Sequence, residues 1–585
     1  MAETRTGKRS EAEERLLEDV SDDQLWRHAE TLAQWEKISG TPGEQEAAGY
    51  LRGELEALGF EVGVHEFDSL LGWPEGATLE VPGGEAVRAI THAFVPSTAD
   101  TGLEAEVVYA GSEEPADLTG KIALIEGMAS PVRVLQANQA GAAGLVFIQE
   151  DRLHEMCVSP VWGTPTTRTA DLLPTAPAVS ILREDGERLK RLAENGGLRL
   201  RMRTRTFWDW RPTPIVVGQL SGAVDPEQFV LLSGHHCSWY YGAMDNGTAD
   251  ATILEVARLL AERRRDLRRS VRVAFWPGHT QGRYSGSTWY FDTFWEDLWD
   301  NCVLHVNADS TGARGAEIYH ALGMPETRPF AVAAIEDAIG EEAESERQSR
   351  AGDQSFWSCG VPSVFMDISQ VPPEMAARSR SLFTAADQPE QKRQGGMPWW
   401  WHTADDTLDK IDPAVLRRDT QVYALTTWRA ATAGVLPFRY APAAAEVRET
   451  IERYQAAAKG RADLGPALAR AAQVERAARR VDELLDSVEV PDRLVAALNR
   501  TLHEMDRELV LLNFTANGPF DQDLAVPIPP VPLLEPARRL AALDASSSEA
   551  RYLATELTRN RNKAVYHLRL ALRAAERAIE ELSRV

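Results

Sequence analysis

The sequence is poor in cysteine and has no long apolar run. Its four cysteines, at positions 157, 237, 302 and 359, form no Cys-x-x-Cys pair, and their spacing does not indicate a disulfide framework. A reducing compartment is therefore expected, and we predict a cytoplasmic protein. No stretch approaches the roughly 18 consecutive apolar residues of a membrane span. The first residues, MAETRTGKRSEAEERLLEDV, lack the apolar stretch of a signal peptide.

Basic residues are also in deficit. The chain has 63 Lys and Arg against 88 Asp and Glu, a net charge of −25. An acidic surface with dispersed basic residues argues against nucleic acid as the main partner. No internal period of about 20–50 residues indicates a repeat array. What remains is a globular composition, 44% hydrophobic over 585 residues, which is long enough for several domains.

The pattern of apolar segments divides the chain into three parts. Helical periodicity followed by the alternating segment EVGVHEF, and then strands and helices in alternation from residue 214, predict an α/β domain with a mostly parallel mixed sheet over 1–66 plus 208–440. Short β-like runs punctuated by Gly and Pro predict a β-rich insert over 67–207, folding as its own unit. Residues 441–585, rich in Ala, Arg, Glu and Leu, predict a helical domain that packs on the enzyme or on a second subunit.

Five ligand-type side chains fall at predicted strand ends or in the loops near them. They are His235 in VLLSGHH, Asp245 in GAMDNGTAD, His279 in VRVAFWPGH, Asp309 in LHVNADS and His402 in WWWHTADDTLDKID. The ends of parallel strands converge at one sheet edge, and imidazole with carboxylate suits zinc or a similar divalent ion. Each residue alone is better explained by packing or by helix capping. Together they predict a metal site.

At this point the sequence resembles a known family. The order SGHHCSW, GAMDNGTADATILEVARLL, VAFWPGHTQGRYSGSTWY, VNADSTG, GDQSFWSCGVPS and HTADDTLDKID is similar to that of the zinc aminopeptidases related to glutamate carboxypeptidase and the transferrin receptor. The resemblance covers roughly 25–66 and 208–440, and the insert resembles a protease-associated domain. It implies that His235 and Asp309 bind one ion, that Asp245 bridges two ions and that His402 binds the second.

The sequence departs from the family pattern at three places, and at one of them GDQSF, with Asp353 and Gln354, stands where a Ser-Asp-His-like stretch often occurs. Cys237 stands where the family has an Asp that supports the first ligand, and GHTQGRYSGS stands where it has a Glu-Glu pair that supplies the general base and a metal ligand. His279 is the strongest ligand or base left in that stretch. Three interpretations stay open: His279 replaces the metal-binding Glu, it replaces the base, or it does neither in a degenerate site.

The prediction is therefore a metallohydrolase that cleaves an amide or peptide bond of a small or short substrate, with one or two zinc ions. Two alternatives are a non-catalytic binding protein on a peptidase scaffold and a metalloenzyme whose chemistry has diverged. The partners expected are a small molecule or short peptide and a possible homodimer through the C-terminal helices. Candidate substrate-binding residues are Asp353, Gln354, Trp239 and Tyr241.

Overall fold

The computed structural model describes residues 9–111, 117–377 and 395–585. Its helices are α1 Glu11–Glu18, α2 Asp22–Leu32, α3 Pro42–Ala57, α4 Pro131–Gln139, α5 Arg183–Glu194, α6 Ala249–Glu262, α7 Ser285–Thr293, α8 Trp295–Asn301, α9 Arg328–Ile339, α10 Pro413–Thr432, α11 Tyr440–Ala457, α12 Gly465–Ser487, α13 Asp492–Phe514, α14 Ala537–Leu540 and α15 Ser548–Leu582. Its strands are β1 Glu61–Glu80, β2 Ala86–Val87, β3 Ala89–Ile90, β4 Leu103–Gly111, β5 Ile122–Glu126, β6 Gly144–Gln149, β7 Ala178–Leu182, β8 Arg199–Leu220, β9 Asp225–His235, β10 Arg269–Trp276, β11 Cys302–Asn307, β12 Ile318–Gly323, β13 Glu344–Arg347 and β14 Ser363–Gln370.

The central part of the sheet is parallel, as the sequence predicts. Its strand order is β13-β12-β14-β11-β9-β10-β8. Strands β10, β9, β11 and β14 pair in parallel, whereas β8 and β12 run antiparallel to their neighbours in this core. The apolar runs of β9, β10 and β11 are buried because helices such as α6 and α10 cover the sheet. The mixed α/β fold is thereby confirmed.

The predicted insert is joined to the main sheet by two long strands. β1 pairs antiparallel with β8 from Glu61–Gln219 to Glu80–Arg201, through an irregularity between Pro74 and Gly76. The segment EVGVHEF is thus the first part of a longer strand that continues into the predicted insert. The predicted boundaries at 66/67 and 207/208 fall inside β1 and β8, so strand pairing does not separate the insert from the main sheet.

The insert nevertheless has an apolar core of its own. Strand β4 pairs with the far end of β8 and continues into β5, β6, β7 and β3. Buried side chains from these strands, among them Leu79, Val107, Ile148 and Met202, form one cluster apart from the core of the α/β domain. Other buried side chains of the insert, such as Ala123, Leu145 and Phe147, belong to the apolar cluster of the α/β domain, so the insert is continuous in hydrogen bonding and only partly distinct in packing.

The C-terminal helices form a bundle that rests on the α/β domain. Helices α12 and α13 both pack on α15, and α11 packs on α12. The contact with the α/β domain runs through α13: the ring of Phe514 meets Trp357 edge-on at 5.0 Å, and Arg507 donates to the carbonyl of Trp299. Long amphipathic helices gain most of their stability from such packing. Within the described residues, no helix is both long and apolar enough for a bilayer.

Candidate metal centre

The sheet edge at the carboxyl ends of β9, β10 and β11 brings the five predicted ligand residues together. His235 is the last residue of β9, and its partner Trp276 is the last residue of β10, so the next turn carries His279 to the same edge. Asp309 lies two residues beyond the end of β11. Asp245 lies in the turn Ala243–Thr248 before α6. The topology of the sheet therefore brings together residues that are far apart in sequence.

Asp245 lies between two histidines. Its Oδ1 is 3.1 Å from His235 Nε2, and its Oδ2 is 3.1 Å from His402 Nε2. On the other side of His235, Nε2 lies 3.6 Å from Asp309 Oδ2. The side chains of His235 and Asp245 are buried, and those of Asp309 and His402 are nearly so. This is the order of residues that the family resemblance implies.

The hydrogen bonds of both histidines leave Nε2 free for a cation. His235 Nδ1 lies 2.8 Å from the carbonyl of Cys237, and His402 Nδ1 lies 2.7 Å from that of Glu155. A carbonyl only accepts, so Nδ1 carries the proton in each neutral ring. His235 Nε2 and Asp245 Oδ1 are buried without a hydrogen-bond partner, an arrangement that costs free energy unless a proton or a cation lies between them.

A cation and a proton compete for this position. Burial opposes protonation of His235, but the charge of Asp309 and the contact with Asp245 outweigh it and raise the pKa of His235 well above its ordinary value. The site therefore holds positive charge strongly. Two imidazoles with carboxylates are a donor set that fits zinc.

His279 joins the His235 side of the site. Its ring stacks on that of His235, with centroids 3.6 Å apart and planes at 20°. Ligand atoms of His235, His279 and Asp309 all lie within 4.8 Å of one another. His279 Nδ1 is 2.7 Å from Asp353 Oδ2, and Ser287 donates to Asp353 Oδ1. Because the carboxylate accepts a hydrogen bond from Nδ1–H, Nε2 remains as the ligand atom, which is how carboxylates orient metal-binding histidines.

The protonation state of His279 agrees with that role. Burial first, and then the positive charge of His235, lower the pKa of His279 below its ordinary value. A neutral imidazole is the form that coordinates a metal. No carboxylate occupies the following positions of this loop: Thr280 and Gln281 are buried and bound to each other. Among the described residues that line the adjoining cavity there is no glutamate.

Cys237 supports the loop that carries His279. Its Sγ accepts a hydrogen bond from the His279 backbone N–H at 3.2 Å and lies 3.5 Å from Thr280 Oγ1. The thiol is fully buried. It thus stands behind the ligands, where the family resemblance places a supporting Asp.

Two residues that sequence reasoning missed hold the ligands in place. Asp406 accepts hydrogen bonds from the backbone N–H groups of Met244 and Asp245, at 2.9 and 3.0 Å. Asn246 donates to the carbonyl of His235 at 3.0 Å and accepts from the N–H of Ser310 at 2.9 Å. Asn246 directly follows Asp245 in GAMDNGTAD, and Asp406 lies in HTADDTLDKID with His402. This proximity to predicted ligands is the sequence signal that could have identified them.

A cavity opens beside the site. Asp245, His279, Asp309 and His402 face it, and the remaining wall comes from the insert, the α/β domain and the C-terminal region, including Met156, Cys157, Trp239, Arg283, Tyr284, Arg350, Ala525, Val526 and Pro527. All three predicted domains therefore contribute to one site.

Of the four predicted substrate-binding residues, Trp239 alone lies in the wall of this cavity. Asp353 is buried behind His279 and binds its Nδ1. Gln354 is buried too, and its Oε1 accepts from Trp357 Nε1 at 3.2 Å. Tyr241 is 41% exposed on the surface, because left-handed backbone at Tyr240 and Gly242 turns the chain there. The structure therefore does not place these three residues in the cavity wall.

The site and the fold define a class, the metallopeptidase-like α/β proteins with a covering insert. Residues 216–427 match the family described as Peptidase family M28, and residues 95–189 match the PA domain. Over residues 216–427 the α/β domain is accordingly similar to peptidase family M28, in agreement with the resemblance that the sequence motifs indicate.

Curated relatives are similar over part of their length. Probable leucine aminopeptidase 2 of Aspergillus oryzae is 28% identical over 304 residues, 50% of this chain and 59% of the relative. Probable glutamate carboxypeptidase VP8 of Zea mays is 24% identical over 503 residues, 72% of this chain and 68% of the relative. The chain spans only about half the length of the Aspergillus relatives, 59% and 54%.

Solved structures share the fold. The aminopeptidase from Aneurinibacillus sp. strain AM-1 superposes with a TM-score of 0.55 at 18% identity, covering 72% of this chain and 97% of that one. A peptidase M28 precursor from Shewanella amazonensis gives a TM-score of 0.55 at 18% identity, covering 73% and 98%. The α/β architecture is common to all of them.

Proposed function

We propose that the protein is a metal-dependent hydrolase that cleaves an amide or peptide bond of a small or short substrate. One observation carries this proposal: five imidazole and carboxylate ligands converge at the sheet edge, with His235 Nε2 and Asp245 Oδ1 buried and unpartnered. The names of the relatives, an aminopeptidase and a glutamate carboxypeptidase, support the same class of reaction.

The two sides of Asp245 differ in how many ligands they offer. On one side His235, His279 and Asp309 gather within 4.8 Å, with Asp245 Oδ1 beside His235. On the other, Asp245 Oδ2 faces His402. We assign a tightly held ion, most favourably zinc, to the first side and a weaker second ion to the other. His279 is then a metal ligand, which is the first of the three interpretations left open by its sequence.

A bound divalent ion would polarise the scissile carbonyl and activate a water molecule at neutral pH. The protein's own part is orientation and proton handling. Asp353 accepts a hydrogen bond from His279 Nδ1–H, which leaves Nε2 as the ligand atom. Neither nitrogen of His279 is therefore available to accept a proton. Among the described carboxylates that line the cavity, Asp367 is the one not assigned to a metal ion, so proton acceptance falls to it.

The test is metal content combined with turnover. Protein purified without chelators and reconstituted with Zn²⁺ is expected to hold at least one ion per chain by elemental analysis and to hydrolyse members of a panel of di- and tripeptides and aminoacyl amides. Removal of the metal by a chelator abolishes hydrolysis, and added Zn²⁺ restores it. A chain that carries no stoichiometric metal would contradict the enzyme and favour a scaffold protein.

We also infer a cytoplasmic homodimer built by the C-terminal helices. The four cysteines are free and buried, which suits a reducing compartment. Tyr552 and Tyr566 on α15 are 74% and 51% exposed, and aromatic residues of this kind are enriched in interfaces. Light scattering tests the dimer: a strictly monomeric species at high concentration would remove it.

A further inference from the structure

Arg283 is a buried cation without an anion. It lines the cavity beside the metal centre, and only 8% of it is exposed. Its Nε is buried without a hydrogen-bond partner. Within 9–111, 117–377 and 395–585, the contact made by its guanidinium is a cation–π one, 4.7 Å from the centroid of Tyr284. Taking a guanidinium out of water without a paired group is unfavourable.

The second arginine in the cavity wall, Arg350, also has a buried Nε without a hydrogen-bond partner, but both of its terminal nitrogens donate to the protein. Arg350 donates to the carbonyl of Gln354 at 2.7 Å, to Gln522 Oε1 at 2.8 Å and to the carbonyl of Asp523 at 3.1 Å. It also stacks on Trp162, 3.8 Å from the ring centroid. Arg350 therefore ties the C-terminal region to the α/β domain. Arg283, in the same wall, has its donors free for a ligand.

The backbone holds Arg283 in one position. The N–H groups of Gly282, Tyr284 and Ser285 all donate to the carbonyl of Gly278, and the N–H of Gly163 donates to the carbonyl of Arg283 at 2.6 Å. The loop after His279 is thus closed on itself and pinned to the insert. A guanidinium presented by such a turn loses little freedom when it binds an anion.

Arg283 lies close to the proposed metal ligands. The ring of Tyr284, which carries the guanidinium on its face, meets the ring of His279 edge-on at 4.7 Å. One aromatic ring therefore separates the positive charge from the proposed metal ligands. Arg283 also lies in GHTQGRYSGS, the stretch in which the sequence departs from the family pattern.

We propose that Arg283 binds a carboxylate of the substrate, so that the enzyme prefers short peptides or acylated amino acids with a negative charge close to the scissile amide. The planar fork of guanidinium donors matches a carboxylate in geometry and in charge. The carboxylate is the free carboxyl terminus or an acidic side chain next to the cleaved bond. This inference rests on the proposed hydrolase function for its kinetic part, but not for its binding part.

The binding part is tested with glutarate and its neutral analogue glutaramide, titrated calorimetrically into the metal-loaded protein. Loss of one charge-assisted contact in Arg283→Met should weaken glutarate binding by about 10- to 100-fold and change the affinity for glutaramide much less. Arg283→Lys should restore part of the loss. Arg205→Met, which removes an exposed arginine in the insert, is the matched control. Equal glutarate affinities in Arg283→Met and in Arg205→Met would overturn the proposal.

The kinetic part compares three substrates of one sequence: a dipeptide with a free carboxyl terminus, its C-terminal amide, and an amide with a Glu side chain beside the cleaved bond. In Arg283→Met, kcat/KM should fall about 10- to 100-fold more for a carboxylate substrate than for the neutral amide, chiefly through KM. Whichever carboxylate substrate shows the loss identifies the source of the charge. Glutarate binding that depends on Arg283, without hydrolysis of any substrate, would refute the hydrolase and keep the anion site.

Discussion

The two histidines that face Asp245 have different surroundings. His235 has His279 stacked on its ring and Asp309 beside its Nε2, and a carboxylate, Asp353, orients His279 from behind. His402 has Trp401 stacked on its ring at 3.6 Å, and a backbone carbonyl accepts a hydrogen bond from its Nδ1–H. One side is rich in ligands, and the other has an aromatic wall. The comparison teaches that the two sides of one shared carboxylate, Asp245, offer unequal numbers of candidate ligands.

The largest effect is expected from His235→Ala. This change removes the central ligand of the side that includes His279 and Asp309, so the tightly held ion should be lost. Turnover should fall by more than about 100-fold, which exceeds the loss typical when a residue that supports a ligand is changed. Elemental analysis after dialysis and initial rates measure it. If the variant keeps one ion per chain, the tight ion lies on the His402 side, and the comparison is inverted.

The next effect concerns His279→Ala. As a ligand, His279 should account for part of the metal affinity, so the variant is expected to lose metal occupancy together with turnover, by about 100-fold or more. Far-UV circular dichroism checks that the fold is kept. Full metal content with lost activity would make His279 a base instead, and full activity would reduce it to a turn residue.

A milder change, Asp353→Asn, separates orientation from ligation. Asparagine keeps the size of the side chain but holds the His279 ring less firmly in the required tautomer. Metal affinity of the His235 side should fall by about 10- to 100-fold, measured by competition with a chromophoric chelator. An unchanged affinity would show that stacking on His235 is enough to orient His279.

Asp406→Asn acts on the ligand that both sides share. The amide can accept only one of the two backbone hydrogen bonds made to the Asp406 carboxylate, so the turn that carries Asp245 loosens. The free energy of unfolding should fall by about 1–3 kcal/mol, and both metal affinities should fall together. Denaturant titration gives the first quantity. A loss confined to one side would mean that Asp245 is not held by Asp406.

The smallest effect on the tight ion is expected from His402→Ala. The variant should retain about one ion per chain, lose the weaker one, and lower turnover by roughly tenfold. Metal titration of the variant beside His235→Ala provides the direct contrast. If both variants lose all metal, the two sides form one inseparable centre.

Much of the fold and of the ligand set followed from local pattern. Apolar segments that alternate with amphipathic helices predict a parallel sheet, and a ligand-type residue at the end of each such segment predicts a site at its edge. His235, Asp245, Asp309 and His402 lie as the motif order indicated. Each of these predictions, strand, helix or ligand, rested on the residues within one short segment of the chain.

Other properties depended on contacts between distant segments. Strands β1 and β8 run unbroken through the predicted domain boundaries because they pair with each other over their whole length, and pairing register is not written in either strand alone. Asp353 contacts His279 Nδ1 and Tyr241 lies on the surface, and left-handed backbone occurs at Asp353 itself and at Tyr240, next to Tyr241.

By itself, then, the sequence determined the α/β class, since short-range periodicity carries that information, and its resemblance to a known family indicated four candidate metal ligands and the absence of the glutamate pair. Only the tertiary structure decided that His279 belongs to the His235 side and that, among the described residues, the Arg283 guanidinium makes no hydrogen bond whereas that of Arg350 makes three. The reason is physical: whether a buried charge is paired depends on which atoms of other segments come within about 3–4 Å, and that is a property of the folded chain.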